Sequence, residues 1–332
     1  MMPARLARRA RLENAETRET FSADDDRFAQ DLIAGLSREV KRVPSRYFYD
    51  ARGSDLFEQI TQLPEYYPTR TEIGILENNA RDIAHHVGAQ AVLVEFGSGS
   101  SRKTEILLEA IADLRAYVSI DVSMEALQNA RARLGRRFPA LHLIPLPADF
   151  TTIEGLPKLP ANCTTIGFFP GSTIGNFELQ EAKELLDRFG RLLGPASRLI
   201  VGVDLEKDLN VLLRAYNDAA GVTAQFNLNL LAHANRRFGD VFDLDAFEHR
   251  AIYNAEKSRI EMHLVSKRAH SVSVFGRTFH FANGETLRTE LSHKYTLERF
   301  ARLAAGAGWR CERVWLDEEK LFSVQALRRV EQ

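Results

Sequence analysis

The chain has 332 residues, which at ~150 residues per domain suggests about two domains, and its 45% hydrophobic and 27% charged content is that of an ordinary soluble globular protein. Its 44 basic and 45 acidic side chains leave a net charge of -1, unlike the basic excess of a nucleic-acid binder, and no apolar run approaches the ~20 residues of a membrane helix. Cys163 and Cys311 lie far apart, and the histidines show no H-x-H or H-x-x-x-H spacing, so neither a disulfide scaffold nor a metal site is expected.

Met1 to Thr20 carries Arg5, Arg8, Arg9, Arg11 and Arg18 interleaved with Glu13, Glu16 and Glu19. A secretory signal needs an apolar core and transit peptides avoid acids, so residues 1–19 read as a frayed, solvated leader on a cytoplasmic protein. Phe28, Leu32, Ile33, Leu36 and Val40 recur at helical spacing over Arg27–Arg42. Pro44–Arg70 follows, too dense in tyrosine and phenylalanine for an idle linker. A helix is predicted from about Thr71 to Val87, with Gly88 as its stop.

Ala91–Phe96 (AVLVEF) has the pattern of a short buried strand and breaks into Gly97-Ser98-Gly99-Ser100-Ser101. A helix bearing Ile106, Leu107, Leu108 and Ile111 comes next, then a strand over Tyr117–Ile120 ending at Asp121. Strand, glycine turn, helix and strand open a doubly wound α/β sheet. The alternation continues with a helix (Met124–Leu134), strands near His142–Pro145 and Thr165–Phe169, a helix (Leu179–Leu193) and a strand (Arg198–Val203). Leu205–Phe238 reads as helical with a break at Gly221. From Ser258 to Tyr295 the period becomes two, with Ile260, Met262 and Leu264 alternating with Arg259, Glu261 and His263, and with turns at Gly276 and Asn283-Gly284. A helix (Leu297–Ala305) and strands near Trp309–Leu316 and Leu321–Leu327 close the chain. The implied division is a Rossmann-like domain of residues 70–204 plus 295–332 and a second α+β lobe of residues 20–69 plus 205–294.

The segment Gly97–Thr104 (GSGSSRKT) admits three readings. As a dinucleotide fingerprint it lacks the third glycine, because Arg102 stands there. As a P-loop it places Lys103-Thr104 correctly, but the same arginine replaces the glycine that the phosphate cradle needs. As an S-adenosylmethionine site it needs only Gly97 and Gly99, since no pyrophosphate is held. Asp121, 24 residues after Gly97, suits a carboxylate accepting both ribose hydroxyls, although it could simply cap the next helix. Asp149-Phe150 could bind the adenine amine and stack on its ring.

The segments YFYDARGSDLFEQITQLPEYYPTRTE, VEFGSGSSRKT, IDVS, ADF, GSTIGN, RAYNDAAGVTAQFNLN, FDLDAFEH, RIEM and TELSHKY together resemble the histidine-specific Nα-methyltransferases of ergothioneine biosynthesis, from about residue 44 to the C-terminus. The resemblance implies a class I methyltransferase core that uses S-adenosylmethionine to methylate the α-amine of L-histidine three times, giving hercynine. It implies that Gly97, Lys103, Asp121, Asp149 and Phe150 bind the cofactor. It implies that Tyr66, Asn176, Tyr216, Glu290 and Ser292 bind the amino acid, with Tyr49 near the amine. A small-molecule substrate and a monomer without metal, nucleic-acid or membrane partners are expected. Pro170, ahead of GSTIGN, is atypical for the resemblance.

Each of these side chains also has a plainer role. Asn176 could serve only a turn with Gly175, and Tyr216 shares a helical face with Leu209, Leu212 and Leu213. Tyr66 could brace a neighbour, and Met262, which would pack beside the substrate ring, could be core. Glu290 and Ser292, two apart in a strand, face the same way and could engage both nitrogens of an imidazole. Since Arg288 and Lys294 share that side, a solvated strand face is the alternative. An aromatic wall of Tyr49 and Phe57 would suit an alkylated ammonium. The remaining functional alternatives are methylation of another amino acid or a histidine conjugate, a P-loop nucleotide protein, and a binding module.

Overall fold

The computed structural model describes residues 23–99 and 102–330, so the leader expected over residues 1–19 lies outside the described residues, as do Ser100 and Ser101. The chain divides into two compact units. The first holds the described residues up to Tyr66 together with Leu209–Asn254 and Ile260–Leu291. The second holds Tyr67–Asp208, Ala255–Arg259 and the chain from Ser292 onward.

The second unit is built on a seven-stranded sheet. In chain order its strands are β1 (Ala91–Phe96), β2 (Ala116–Asp121), β3 (His142–Pro147), β4 (Thr164–Phe169), β5 (Arg198–Asp204), β11 (Trp309–Leu316) and β12 (Phe322–Arg329). Their spatial order is β11-β12-β5-β4-β1-β2-β3, with β12 antiparallel to both of its neighbours and the remaining pairs parallel. The sheet is buried on both faces. Val92, Val94 and Phe96 of β1 enter one core with Phe169 and Phe189, while Ala91 and Leu93 enter the other with Leu107 and Tyr117. That double burial is why β1 reads as a continuous apolar run. Strand order reverses between β1 and β4, the switch point where such sheets bind ligands at the carboxyl ends of their strands.

Helices α3 (Tyr67–Val87), α4 (Arg102–Ala110), α5 (Met124–Arg137), α6 (Leu179–Leu193) and α9 (Leu297–Gly306) complete this unit. Helix α6 buries Ala182, Leu185, Leu186, Phe189 and Leu193, opens on a Glu178/Glu181 capping box, and stops at Gly194 (φ +85°) before Pro195. Helix α3 begins four residues before its predicted start, because Pro68 is tolerated in a first helical turn.

The first unit contains α1 (Ala23–Leu36), a 3-10 turn (Ser45–Phe48), α2 (Ala51–Thr61), α7 (Leu209–Tyr216) and α8 (Val222–Phe238). Strands β6 (Phe247–Asn254), β7 (Arg259–Ser266) and β10 (Thr286–His293), which apart from Arg259, Ser292 and His293 belong to this unit, form a sheet in the order β10-β7-β6, with a separate β8 (His270–Val274) and β9 (Arg277–Phe281) hairpin. Gly221 (φ +71°) makes the expected break before α8.

Two expectations fail here. Helix α1 ends at Leu36 rather than Arg42, and Val40 is 63% exposed, because the chain folds back until an added Cβ on Gly35 would lie 1.8 Å from the Arg42 carbonyl oxygen. Strand β7 is buried along its whole length rather than on alternate residues. Its polar members are paired instead of solvated: Glu261 accepts from Asn254 Nδ2 at 3.1 Å and lies 3.2 Å from His263 Nε2. Strand β6 and helix α2 are additions to the predicted elements.

Candidate functional site

Three strand ends of the second unit, those of β1, β2 and β3, and the first turn of α4 carry the residues expected to hold the cofactor. Beyond β1, Gly97 (φ +79°) and Gly99 (φ +44°) take left-handed conformations that favour glycine. The Gly97 amide donates to the Ile120 carbonyl at 2.8 Å, and a Cβ on Gly97 would meet the Phe150 ring at 3.4 Å. Asp121, at the end of β2, accepts from the Gly99 amide at 3.1 Å and from the Ser123 amide at 2.9 Å. It does not cap α5. Ser123 does, its hydroxyl accepting from the Ala126 amide at 3.1 Å. After β3, the Asp149 carboxylate accepts from the Thr151 amide at 2.9 Å, and the Phe150 ring packs edge-on against Phe169 with centroids 5.5 Å apart. Gly97, Gly99, Asp121 and Phe150 are thus brought to one rim of the sheet, with Asp149 beside them.

Lys103, in the first turn of α4, forms an ion pair with Glu72 Oε2 at 2.5 Å. Glu72 comes from α3, is fully buried, and also accepts from the Gly171 amide at 2.9 and 3.0 Å. Gly202 on β5 leaves it room, since a Cβ there would stand 1.9 Å from Glu72 Oε1. A single carboxylate therefore ties the lysine of the glycine turn to the loop after β4. Glu72 lies in the quoted PTRTE segment, but nothing in its spacing marks it. Behind the turn, Glu95 on β1 accepts from Thr104 Oγ1 at 2.6 Å and from the Tyr117 hydroxyl. Complete burial raises its carboxyl to about 7 despite these two donors.

The loop after β4 runs through Gly171 and Ser172, whose φ is +52°, into a 3-10 turn (Thr173–Asn176). Pro170 fits this path, its carbonyl accepting from Thr173 Oγ1 at 2.9 Å. Gly175 packs against His293 within the second unit: a Cβ at 175 would lie 2.9 Å from the His293 carbonyl oxygen. Asn176 and Ser292 are the chain neighbours of that contact, so the fold brings together two expected substrate ligands distant in sequence. The solvated-face reading of this end of β10 does not hold, for Ser292 and Lys294 are both buried. Lys294 Nζ donates to Ser292 Oγ at 2.8 Å and to Asp204 Oδ2 at 2.7 Å. Asp204 also accepts from the Tyr67 hydroxyl at 2.7 Å and pairs with Lys207. Burial alone would raise the Asp204 carboxyl, but Lys294 and Lys207 outweigh it and hold the group below the usual carboxylate range.

In the first unit the expected aromatic residues form a continuous run. Tyr49 meets Phe57 with centroids 5.6 Å apart, Phe57 meets Tyr66 at 6.3 Å, and Tyr66 meets Tyr216 at 6.4 Å, each edge-on. Phe226 of α8, which sequence reasoning did not single out, backs this run at 5.7 Å from Tyr49 and 6.0 Å from Phe57. Tyr49 is 40% exposed, whereas Tyr216 is buried. Asp50 fixes the start of α2 by accepting from the Gly53 amide and from Asn229 Nδ2, both at 2.8 Å.

Glu290 is half-buried on β10, and Met262 is buried on the adjacent β7. The neighbouring Thr289 donates to Asn227 Oδ1 at 2.6 Å, and Asn227 Nδ2 donates to the His263 carbonyl at 3.0 Å. Asn227 Nδ2 also lies 2.8 Å from His249 Nδ1, while His249 Nε2 lies 2.8 Å from the Tyr216 carbonyl. A carbonyl can only accept, so Nε2 carries the proton and Nδ1 receives from Asn227. Asn227 thus locks β6, β7 and β10 to α8 beside Glu290, a role sequence reasoning missed.

A family model described as SAM-dependent histidine-specific methyltransferase matches residues 28–329. The chain is 44% identical over 293 residues to a histidine N-alpha-methyltransferase of Mycolicibacterium smegmatis, covering 87% of this chain and 90% of that protein. It is 39% identical over 300 residues to a histidine N-alpha-methyltransferase of Mycobacterium tuberculosis, covering 89% and 92% respectively. It is also 30% identical to the ergothioneine biosynthesis protein 1 of Neurospora crassa over 81% of this chain, although over only 31% of that longer protein.

Proposed function

The chain belongs to the S-adenosylmethionine-dependent histidine-specific methyltransferases, and on that premise we propose that it methylates the α-amine of L-histidine three times to give hercynine for ergothioneine biosynthesis. The observation that carries this reading is near-full-length similarity to two histidine N-alpha-methyltransferases, joined to a switch-point rim with two left-handed glycines and two carboxylates.

In this reading Gly97 and Gly99 let the backbone approach the methionine part of the cofactor, and Lys103 faces its carboxylate. Asp121 takes the ribose hydroxyls, and Asp149 and Phe150 take the adenine. Asn176 and Tyr216 bind the substrate carboxylate end, Tyr66 supports Tyr216, and Glu290, Ser292 and Met262 receive the ring. Tyr49 lies near the amine. The cofactor supplies a methyl already activated as a sulfonium, so the transfer is an in-line displacement that asks the protein for alignment and exclusion of water. No metal is needed for it. The amine loses its proton to Tyr49 or to water before each transfer. Tyr49 and Phe57 can hold the growing alkylammonium through cation–π attraction of ~0.5–2 kcal/mol per ring. We further propose a cytoplasmic monomer; among the described residues no helix is long and apolar enough to cross a membrane.

Mass spectrometry of the full chain incubated with S-adenosylmethionine and each proteinogenic amino acid tests the reading. One, two and three successive methyl increments on histidine alone are expected. An unmodified histidine pool, or preferential methylation of another amino acid, overturns it.

A further inference from the structure

We propose that Glu72 is a positioning residue for the cofactor: it holds the Lys103 ammonium beside the glycine turn, where the lysine reads the amino-acid end of S-adenosylmethionine and not its nucleoside. The inference rests on the assignment of Lys103 to the cofactor carboxylate made above. Glu72 on α3 is 0% exposed, and its Oε2 lies 2.5 Å from Lys103 Nζ. The Lys103 side chain keeps 18% of its surface open. The pair is therefore closed at the carboxylate and open at the ammonium. Its members and their glycine neighbours Gly171 and Gly202 all belong to the second unit.

Lysine carries its charge on a flexible stem, and a partly open one gains entropy by swinging into water. Glu72 opposes that motion because it is itself fixed. The Gly171 amide donates to both of its oxygens, at 3.0 and 2.9 Å, and Gly202 leaves it room where a Cβ would stand 1.9 Å from Oε1. Gly171, at φ +81°, likewise leaves room for the ammonium, since a Cβ there would come within 3.5 Å of Lys103 Nζ. An ammonium has three donors, and Glu72 takes one, so Lys103 can be held from its buried side and still donate outward. A buried carboxylate is tolerated only when paired, which makes this contact hard to break. A neutral amide at 72 would offer one oxygen to two donors, Lys103 and the Gly171 amide. Glu72 also repels the carboxylate whose site it prepares, so position and charge predict opposite signs for its removal. The sign of the change therefore tells which of the two Glu72 supplies.

The test is calorimetric and uses the full chain with two ligands: S-adenosylhomocysteine, which keeps the amino-acid end, and methylthioadenosine, which lacks it. Glu72→Gln is expected to weaken S-adenosylhomocysteine about tenfold and to leave methylthioadenosine within about twofold of the parent. Lys103→Met should show the same selective loss, and the double variant should be no worse than Lys103→Met alone. If Glu72→Gln does not fold, Glu72→Asp, which keeps the charge but draws it back by one methylene, is read in the same way, with the same selective loss expected. Equal weakening of both ligands in the Glu72 variant, unchanged affinity, or tighter binding of S-adenosylhomocysteine overturns the positioning role. Losses that multiply in the double variant overturn it as well. A Lys103→Met protein with parental affinity for both ligands overturns the carboxylate assignment itself and the inference with it.

Discussion

Glu290 carries the sharpest expectation at the scale of single residues. It is half-buried on β10, where an imidazole N–H can offer its carboxylate a charge-assisted hydrogen bond. Glu290→Ala should cut kcat/KM for histidine by about one to two orders of magnitude, the factor that ~1.4–2.8 kcal/mol implies. It should also narrow the preference over phenylalanine and tryptophan, whose apolar rings no longer have to desolvate a carboxylate. Competition assays on both proteins decide this, and an intact histidine preference would place ring recognition elsewhere. Asp121→Ala should weaken S-adenosylmethionine binding, because charge-assisted bonds to ribose hydroxyls are worth ~1.5–3 kcal/mol each. The loss should be compounded by the Gly99 amide, which now donates to Asp121 at 3.1 Å. Unchanged affinity by calorimetry in a folded variant would remove Asp121 from the cofactor site.

Among elements, the link from α3 through Glu72 to Lys103 and Gly171 depends on a strand residue that takes no part in it chemically. Gly202→Ala would set a methyl 1.9 Å from Glu72 Oε1 and displace a buried carboxylate with two partners. Overpacking of this kind typically costs ~1–3 kcal/mol, so a lower melting temperature is expected together with weaker cofactor binding. A variant that loses stability but binds the cofactor normally would show that Glu72 serves the fold alone. The elements themselves were largely legible. The glycine turn, the alternating strands and helices, and the stop at Gly194 follow from period and turn chemistry. What period could not show is where a polar residue is buried. Nothing in the pattern marks Glu72, Asp204 and Lys294 as buried, because Glu72 meets Lys103 and Asp204 meets Lys294 only in the fold, and β7 reads as amphipathic from its alternation although Glu261 and His263 lie buried against one another. The apolar spacing carries helix α1 on to Val40, while the approach of Arg42 to Gly35 leaves no mark in the pattern. Tyr49, Tyr66 and Tyr216 were legible only through the family resemblance. Phe226 was not, since an apolar residue on a helix carries no sign of what it backs.

For the whole molecule, Glu95 makes stability depend on pH. Its folded carboxyl titrates at about 7, above the ordinary 4.5, so the folded state binds the proton more tightly than the unfolded chain does. Its contribution is fully present below about 4.5 and is lost as pH rises through about 7, on the order of 3 kcal/mol across that window. Glu95→Gln keeps a neutral group in the same place and should remove that slope. Its unfolding free energy relative to the parent should therefore be higher at pH 8 than at pH 5, as denaturant titrations at both values would read. Parallel pH profiles for the two proteins would mean that Glu95 is ionised in the fold.

Backbone against backbone at Gly175 and His293 leaves no side chain free to adjust the spacing between Asn176 and Ser292. If these two grip opposite ends of the amino acid, the contact works as a ruler, gauging the span from carboxylate to ring. Side-chain changes on β10 could then alter which ring is taken, but not how long the molecule is. Homohistidine, one methylene longer with identical end groups, should consequently be a poor substrate for the parent enzyme and stay poor in every variant at 290 or 292. A steady-state survey of those variants that restored homohistidine turnover would show that the length limit is set elsewhere.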